Sequence, residues 1–119
     1  MKSVVIYSPD FGLCYSFLMF LQSHYKVVAT TNLDAVTAMV RNSSADLVII
    51  DSEPDQTIQN LVNDLKNINS ETPIILTYVY SNKLSVLENN IKKNVKEIFY
   101  KPFDLNEISL RIPHLISAI

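Results

Sequence analysis

Three residues in the chain have side chains and positions suited to shared chemistry. Asp51 closes the apolar run LVIID, Thr77 closes PIILT, and Lys101 follows EIFY at the head of Lys101-Pro102-Phe103. A carboxylate can act as a nucleophile or an ion-pair partner. An ammonium stabilises anionic oxygens, and a hydroxyl reads a neighbouring oxygen by hydrogen bonding. Each residue alone carries little weight. Asp51 could cap a turn or helix, Thr77 is simply a good strand former, and a single Lys-Pro pair is uninformative. The weight lies in the three together, each ending a strand that alternates with helices.

The elements that must position them are legible as a β/α alternation. Strands are predicted at Ser3–Tyr7, Lys26–Thr30, Leu47–Asp51, Pro73–Thr77 and Glu97–Tyr100. Helices are predicted at Phe11–Ser23, Asp34–Arg41, Thr57–Ile68 and Lys83–Lys93, and from Asp104 onward. Apolar side chains at helical spacing mark the inner faces: Val36, Met39 and Val40; Ile58, Leu61, Val62, Leu65 and Ile68; and Leu84, Leu87 and Ile91. This alternation is the pattern of an α/β fold with a parallel sheet and helices on both faces. Unbroken apolar runs such as LVIID and PIILT suit interior strands buried on both sides, whereas the more polar strands at Lys26 and Glu97 suit the edges. Asp104 and Glu107 resemble a capping box for the last helix, which Pro113 is expected to kink or end. In such sheets ligands meet the carboxyl ends of the strands. The positions to read are therefore Tyr7-Ser8, Asp51, Thr77 and Lys101.

Length and composition narrow the function. The chain has 119 residues, the size of one domain spanning 1–119. Ten Lys and Arg against twelve Asp and Glu give a net charge of −2, with no basic excess for a nucleic-acid binder. The only cysteine, Cys14, excludes an internal disulfide and a Cys-rich zinc site, and a buried lone thiol fits a reducing cytoplasm. The apolar run Phe11–Leu21 is too short to cross a bilayer, and its flanks are poor signal-peptide flanks. The expectation is a cytoplasmic protein that begins at Met1 and engages neither membrane nor nucleic acid. His24 and His114 lack partners at metal-ligand spacing. Lys92, Lys93 and Lys96 read as a solvated helix end. Asp10 reads as an N-cap, and Glu53 and Asp55 as loop acids. Phe11, Leu13, Phe17, Leu18, Met19, Phe20 and Leu21 exceed one buried stripe, so some of them should face outward. A single glycine, Gly12, in neither a Gly-x-Gly nor a Walker pattern, argues against a small flavodoxin-like nucleotide-binding protein or enzyme.

The order Asp51, Thr77, Lys101-Pro102 along five β/α units resembles the receiver domain of two-component response regulators, over the whole chain. The resemblance implies a flavodoxin-like three-layer sandwich with a five-stranded parallel sheet in the order 2-1-3-4-5. It implies that Asp51 accepts a phosphoryl group from a histidine kinase, that Thr77 and Lys101 grip the phosphoryl oxygens, and that the Lys101-Pro102 peptide is cis. It also implies partners: a histidine kinase, another phosphorelay protein or a downstream regulator, with homodimerisation open. Association would use the face of the fourth helix, fifth strand and fifth helix, drawn from Leu84, Ile91, Phe99, Ile108 and Arg111.

The chain departs from the family pattern where cofactor and switch are concerned. The adjacent acids that end the first strand and hold Mg²⁺ are replaced by Tyr7 and Ser8. Losing two carboxylates of three should weaken a Mg²⁺ site greatly. Ser52-Glu53-Pro54-Asp55-Gln56 lacks the usual glycine turn, Tyr78 stands where a small residue is preferred and is large enough to cover the pocket, and Ile98 replaces the switching aromatic. The reading is an atypical stand-alone receiver, not an enzyme, without cofactor or bound metal, acting through protein binding with weak or no phosphorylation at Asp51. The competing reading keeps Asp51 as a conventional phosphoacceptor.

Overall fold

The computed structural model describes residues 1–116. Five strands, β1 (Ser3–Tyr7), β2 (Lys26–Thr30), β3 (Leu47–Asp51), β4 (Ile74–Tyr78) and β5 (Glu97–Tyr100), form one parallel sheet in the order β2-β1-β3-β4-β5. The helices are α1 (Phe11–Leu21), α2 (Val36–Ser43), α3 (Gln56–Ile68), α4 (Ser85–Ile91) and α5 (Leu105–Ile116). Short 3-10 turns, Leu33–Ala35 and Asn82–Leu84, lead into α2 and α4.

Every side chain of β1, β3 and β4 is buried, whereas β2 and β5 are partly open, as expected for interior and edge strands. The alternation of strand side chains divides the core into two layers. Val5, Val48, Ile50, Ile74 and Leu76 pack against α2, α3 and Ile91 of α4. Val4, Ile6, Leu47, Ile49 and Ile75 pack against Phe17 and Leu21 of α1 and Ile108 and Ile112 of α5. Each fully buried aliphatic side chain contributes about 1.5–3 kcal/mol relative to exposure.

The bounds differ from the sequence expectation in physically readable ways. Pro73 lies outside β4 because it has no amide to donate, yet its carbonyl still accepts from the Val48 amide. α1 ends at Leu21, two residues early, capped by Gln22. α4 stops at Ile91, whose carbonyl is taken by the amides of Asn94 and Val95 in a tight turn. Asp104 accepts from the Asn106 amide at the start of α5. Pro113 does not end α5: the helix continues to Ile116. Ile112, Leu115 and Ile116 are buried on its inner face, and their packing outweighs the lost donor.

That lost donor should be recoverable. Pro113→Ala restores an amide to the Ser109 carbonyl and should raise stability by on the order of 1 kcal/mol or more, read from the urea midpoint. An unchanged or lowered midpoint would show that the proline costs the helix nothing.

Candidate functional site

Parallel register assembles the site at the carboxyl edge of the sheet. β3 and β4 place Asp51 beside Thr77, and β1 pairs Tyr7 with Ile50, which brings the next residue, Ser8, level with Asp51. β4 pairs Tyr78 with Tyr100, and the Lys101 amide donates to the Tyr78 carbonyl at 2.9 Å, anchoring the lysine beside Thr77. The Lys101-Pro102 peptide is cis.

The three residues singled out by sequence converge on one carboxylate. Thr77 Oγ1 donates to Asp51 Oδ1 at 2.8 Å, and Lys101 Nζ lies 2.7 Å from the same oxygen. The second oxygen, Oδ2, accepts from Ser8 Oγ at 2.7 Å. Asp51 is 3% exposed and Ser8 and Thr77 are fully buried, so these contacts operate largely out of water. A buried carboxylate requires such donors, since an ionised group left unpaired in the interior is heavily penalised. In the sequence Ser8 marks a strand end and stands where the receiver resemblance expects an acid. Its role as a donor follows from register, which no single residue type reveals.

An open cleft of about 350 Å³ lies over this carboxylate, lined by Pro9, Ser52, Glu53, Asp55, Val79 and Lys101 among others. Three lining carboxylates, Asp51, Glu53 and Asp55, face a single ammonium, Lys101. The cleft therefore opposes the approach of an anion more than a balanced site would. Tyr78 does not cover it. Successive strand side chains point to opposite sides. Tyr78 is accordingly 2% exposed, within the α2/α3 layer, with its hydroxyl donating to Glu88. Tyr7 is likewise a core residue. Burial raises its hydroxyl above the ordinary value, and the charges of Asp51 and Asp55 raise it further.

The residues do not fit the Mg²⁺ that the receiver resemblance implies. Both oxygens of Asp51 already have donors. Asp10 caps α1, its Oδ1 accepting from the amides of Gly12 and Leu13. Asp55 lies in the exposed loop, as expected, and from there caps α3 by accepting from the Ile58 amide. Among the described residues, no group of three or more His, Cys, Asp or Glu side chains is placed to hold a metal ion.

Cys14 is buried, its Sγ 3.6 Å from the Thr30 carbonyl. Lys92 is not merely solvated, because it pairs with Glu88 at 3.3 Å. Of the five residues assigned to an association face, Ile91, Phe99 and Ile108 are core and Leu84 is half-buried. Only Arg111 is exposed, and it pairs with Glu97 at 3.3 Å. Helical spacing could not distinguish the inner side of α4 and α5 from the outer. In α1, Phe17 and Leu21 are buried while Phe11, Tyr15, Met19 and Phe20 are exposed, with the Phe11 and Tyr15 rings stacked at 6.2 Å. Among the described residues, no helix is long and apolar enough to cross a membrane.

No model of a known protein family matches the chain, and no curated protein sequence matches it. Solved structures do. A response regulator receiver domain protein (CheY-like) from Methanospirillum hungatei superposes with a TM-score of 0.84 at 19% identity, over 98% of this chain and 94% of that one. A response regulator receiver modulated diguanylate cyclase from Pelobacter carbinolicus gives 0.78 at 24% identity, over 98% and 93%. Chemotaxis protein CheY4 of Vibrio cholerae gives 0.80 at 17% identity, over 97% and 98%. The fold is that of the CheY-like receivers, in the flavodoxin-like strand order.

Ser8→Ala leaves Asp51 Oδ2 buried without a donor and should cost about 1–3 kcal/mol in chemical denaturation. A loss of only a few tenths would mean that the Ser8 hydroxyl contributes nothing to holding Asp51.

Proposed function

We propose that this chain is a signalling receiver that works by constitutive binding to partner proteins, without Mg²⁺-dependent phosphorylation of Asp51. One observation carries the reading: both oxygens of Asp51 are taken by Ser8, Thr77 and Lys101, and among the described residues no group of three or more His, Cys, Asp or Glu side chains is placed to hold a cation there. Phosphoryl transfer to a carboxylate needs positive charge to offset donor and acceptor anions. Lys101 alone supplies it here, and its charge is engaged with Asp51 in a cleft that also carries Glu53 and Asp55.

In this reading the chain is a cytoplasmic adaptor, not an enzyme, and binds no cofactor. Its partners are a histidine kinase, another phosphorelay protein or a downstream regulator, and it does not bind nucleic acid. The receiver-type fold and the net charge of −2 support that assignment. The exposed apolar side chains of α1 offer contact area for a partner or a second copy.

A conventional phosphoacceptor is the second reading, favoured by the survival of the Asp51, Thr77 and Lys101 triad beneath an open cleft. Incubation with acetyl phosphate and Mg²⁺ followed by intact mass separates the two. The proposal expects the unmodified mass throughout. An increment of one phosphate, absent from Asp51→Asn, would establish the second reading instead.

A further inference from the structure

A second buried carboxylate lies one residue away from the site along two strands. Glu88 of α4 is 6% exposed. Its Oε2 accepts from the hydroxyls of Tyr78, which follows Thr77, and Tyr100, which precedes Lys101, the latter at 2.8 Å. Its Oε1 pairs with Lys92 Nζ at 3.3 Å. The two tyrosines are register partners, and their rings meet edge to face at 5.7 Å. Tyr80 packs edge-on against Tyr100 at 5.3 Å and donates to Asn82 Oδ1, tying in the turn that leads to α4.

α4 has little else to hold it. It is seven residues long, and Ile91 is its only buried apolar side chain. A short helix with one apolar anchor would ordinarily be among the more mobile elements of a fold. Glu88 replaces missing apolar contact with hydrogen bonds to both strand ends. Burial by itself would raise the Glu88 carboxyl, but the hydrogen bonds from Tyr78, Tyr100 and Lys92 and the charge of Lys92 outweigh it and hold the group below its ordinary value. Glu88 is therefore an ionised acceptor at neutral pH. Burial and the same bond push the Tyr100 hydroxyl up to about 12.

We propose that Glu88, Tyr78 and Tyr100 form a latch that holds α4 against the ends of β4 and β5. The latch fixes the backbone beside Thr77 and Lys101 in one conformation whatever the charge of Asp51. Opening it would leave the buried Tyr78 hydroxyl without a partner and strip Glu88 of both tyrosine donors, which is costly. Glu88 is thus a positioning residue acting through the two tyrosines, and the surface around α4 keeps one shape. This goes beyond the binding role proposed above, because it would hold whether or not Asp51 takes up phosphate.

Amide hydrogen exchange on the full chain tests it. With the latch intact, Asp51→Asn should leave exchange in residues 80–92 within about twofold of wild type. Glu88→Ala should speed exchange there by roughly 10- to 100-fold, with β1 and β3 unchanged, and Glu88→Gln, which keeps an acceptor oxygen, should lie between. In the Glu88→Ala background, Asp51→Asn should now alter exchange in α4, a coupling that a purely structural Glu88 would not produce. Should Glu88→Ala fail to fold, Tyr100→Phe removes one arm at a partly exposed position and should speed α4 in the same direction. The latch is refuted if these variants leave α4 at wild-type rates, or if Asp51→Asn alone changes α4 severalfold. Phosphate uptake in the mass experiment would overturn the constitutive reading while leaving the exchange result to decide the latch.

Discussion

A carboxylate can be buried at the edge of a sheet only if donors surround it, and the arrangement of this molecule follows from how Asp51 meets that demand. Its donors come from three other strand ends: Ser8 after β1, Thr77 in β4 and Lys101 after β5. Four of the five strands therefore meet at one group, and their register must be right for it to be satisfied. The apolar interiors of β1, β3 and β4 supply the burial that makes these contacts strong, and also the penalty that would follow if any of them were lost.

The same constraint separates this site from a metal centre. A hydroxyl at Ser8 completes the shell of Asp51 without adding charge, whereas a carboxylate there would have required a cation between the two acids. Tyr7, the other position where an acid would serve a metal, is instead committed to the core. Of the acids that remain nearby, Asp10 caps α1 and Asp55 caps α3, and Glu53 lines the cleft. On the reading proposed above, the site is left to ion pairing and hydrogen bonding within the protein, and protein binding takes the place of phosphoryl transfer.

Much of this was legible in the sequence because it depends on periodicity and order. All five strands fall where their apolar runs lie, within a residue, and Asp51, Thr77 and Lys101 meet because each ends or follows a strand. Side-chain facing was not legible. Tyr78 reads as a lid until the alternation along β4 turns it inward, away from Thr77. Glu88 reads as a surface acid because an acid in a short helix ordinarily faces water, although its spacing from Leu84 and Ile91 places it on the inner side. Pro113 reads as a helix breaker because local propensity knows nothing of the buried Ile112, Leu115 and Ile116 around it. The cues for these lie in tertiary packing, where a single sequence is least informative.

The closure of Asp51 by its own neighbours is tested most directly by titrating the isotopically labelled protein with millimolar Mg²⁺ and following backbone amide shifts. The account predicts that Ser8, Asp51, Thr77 and Lys101 show no saturable change. A one-to-one binding curve at these residues, abolished in Asp51→Asn, would contradict it.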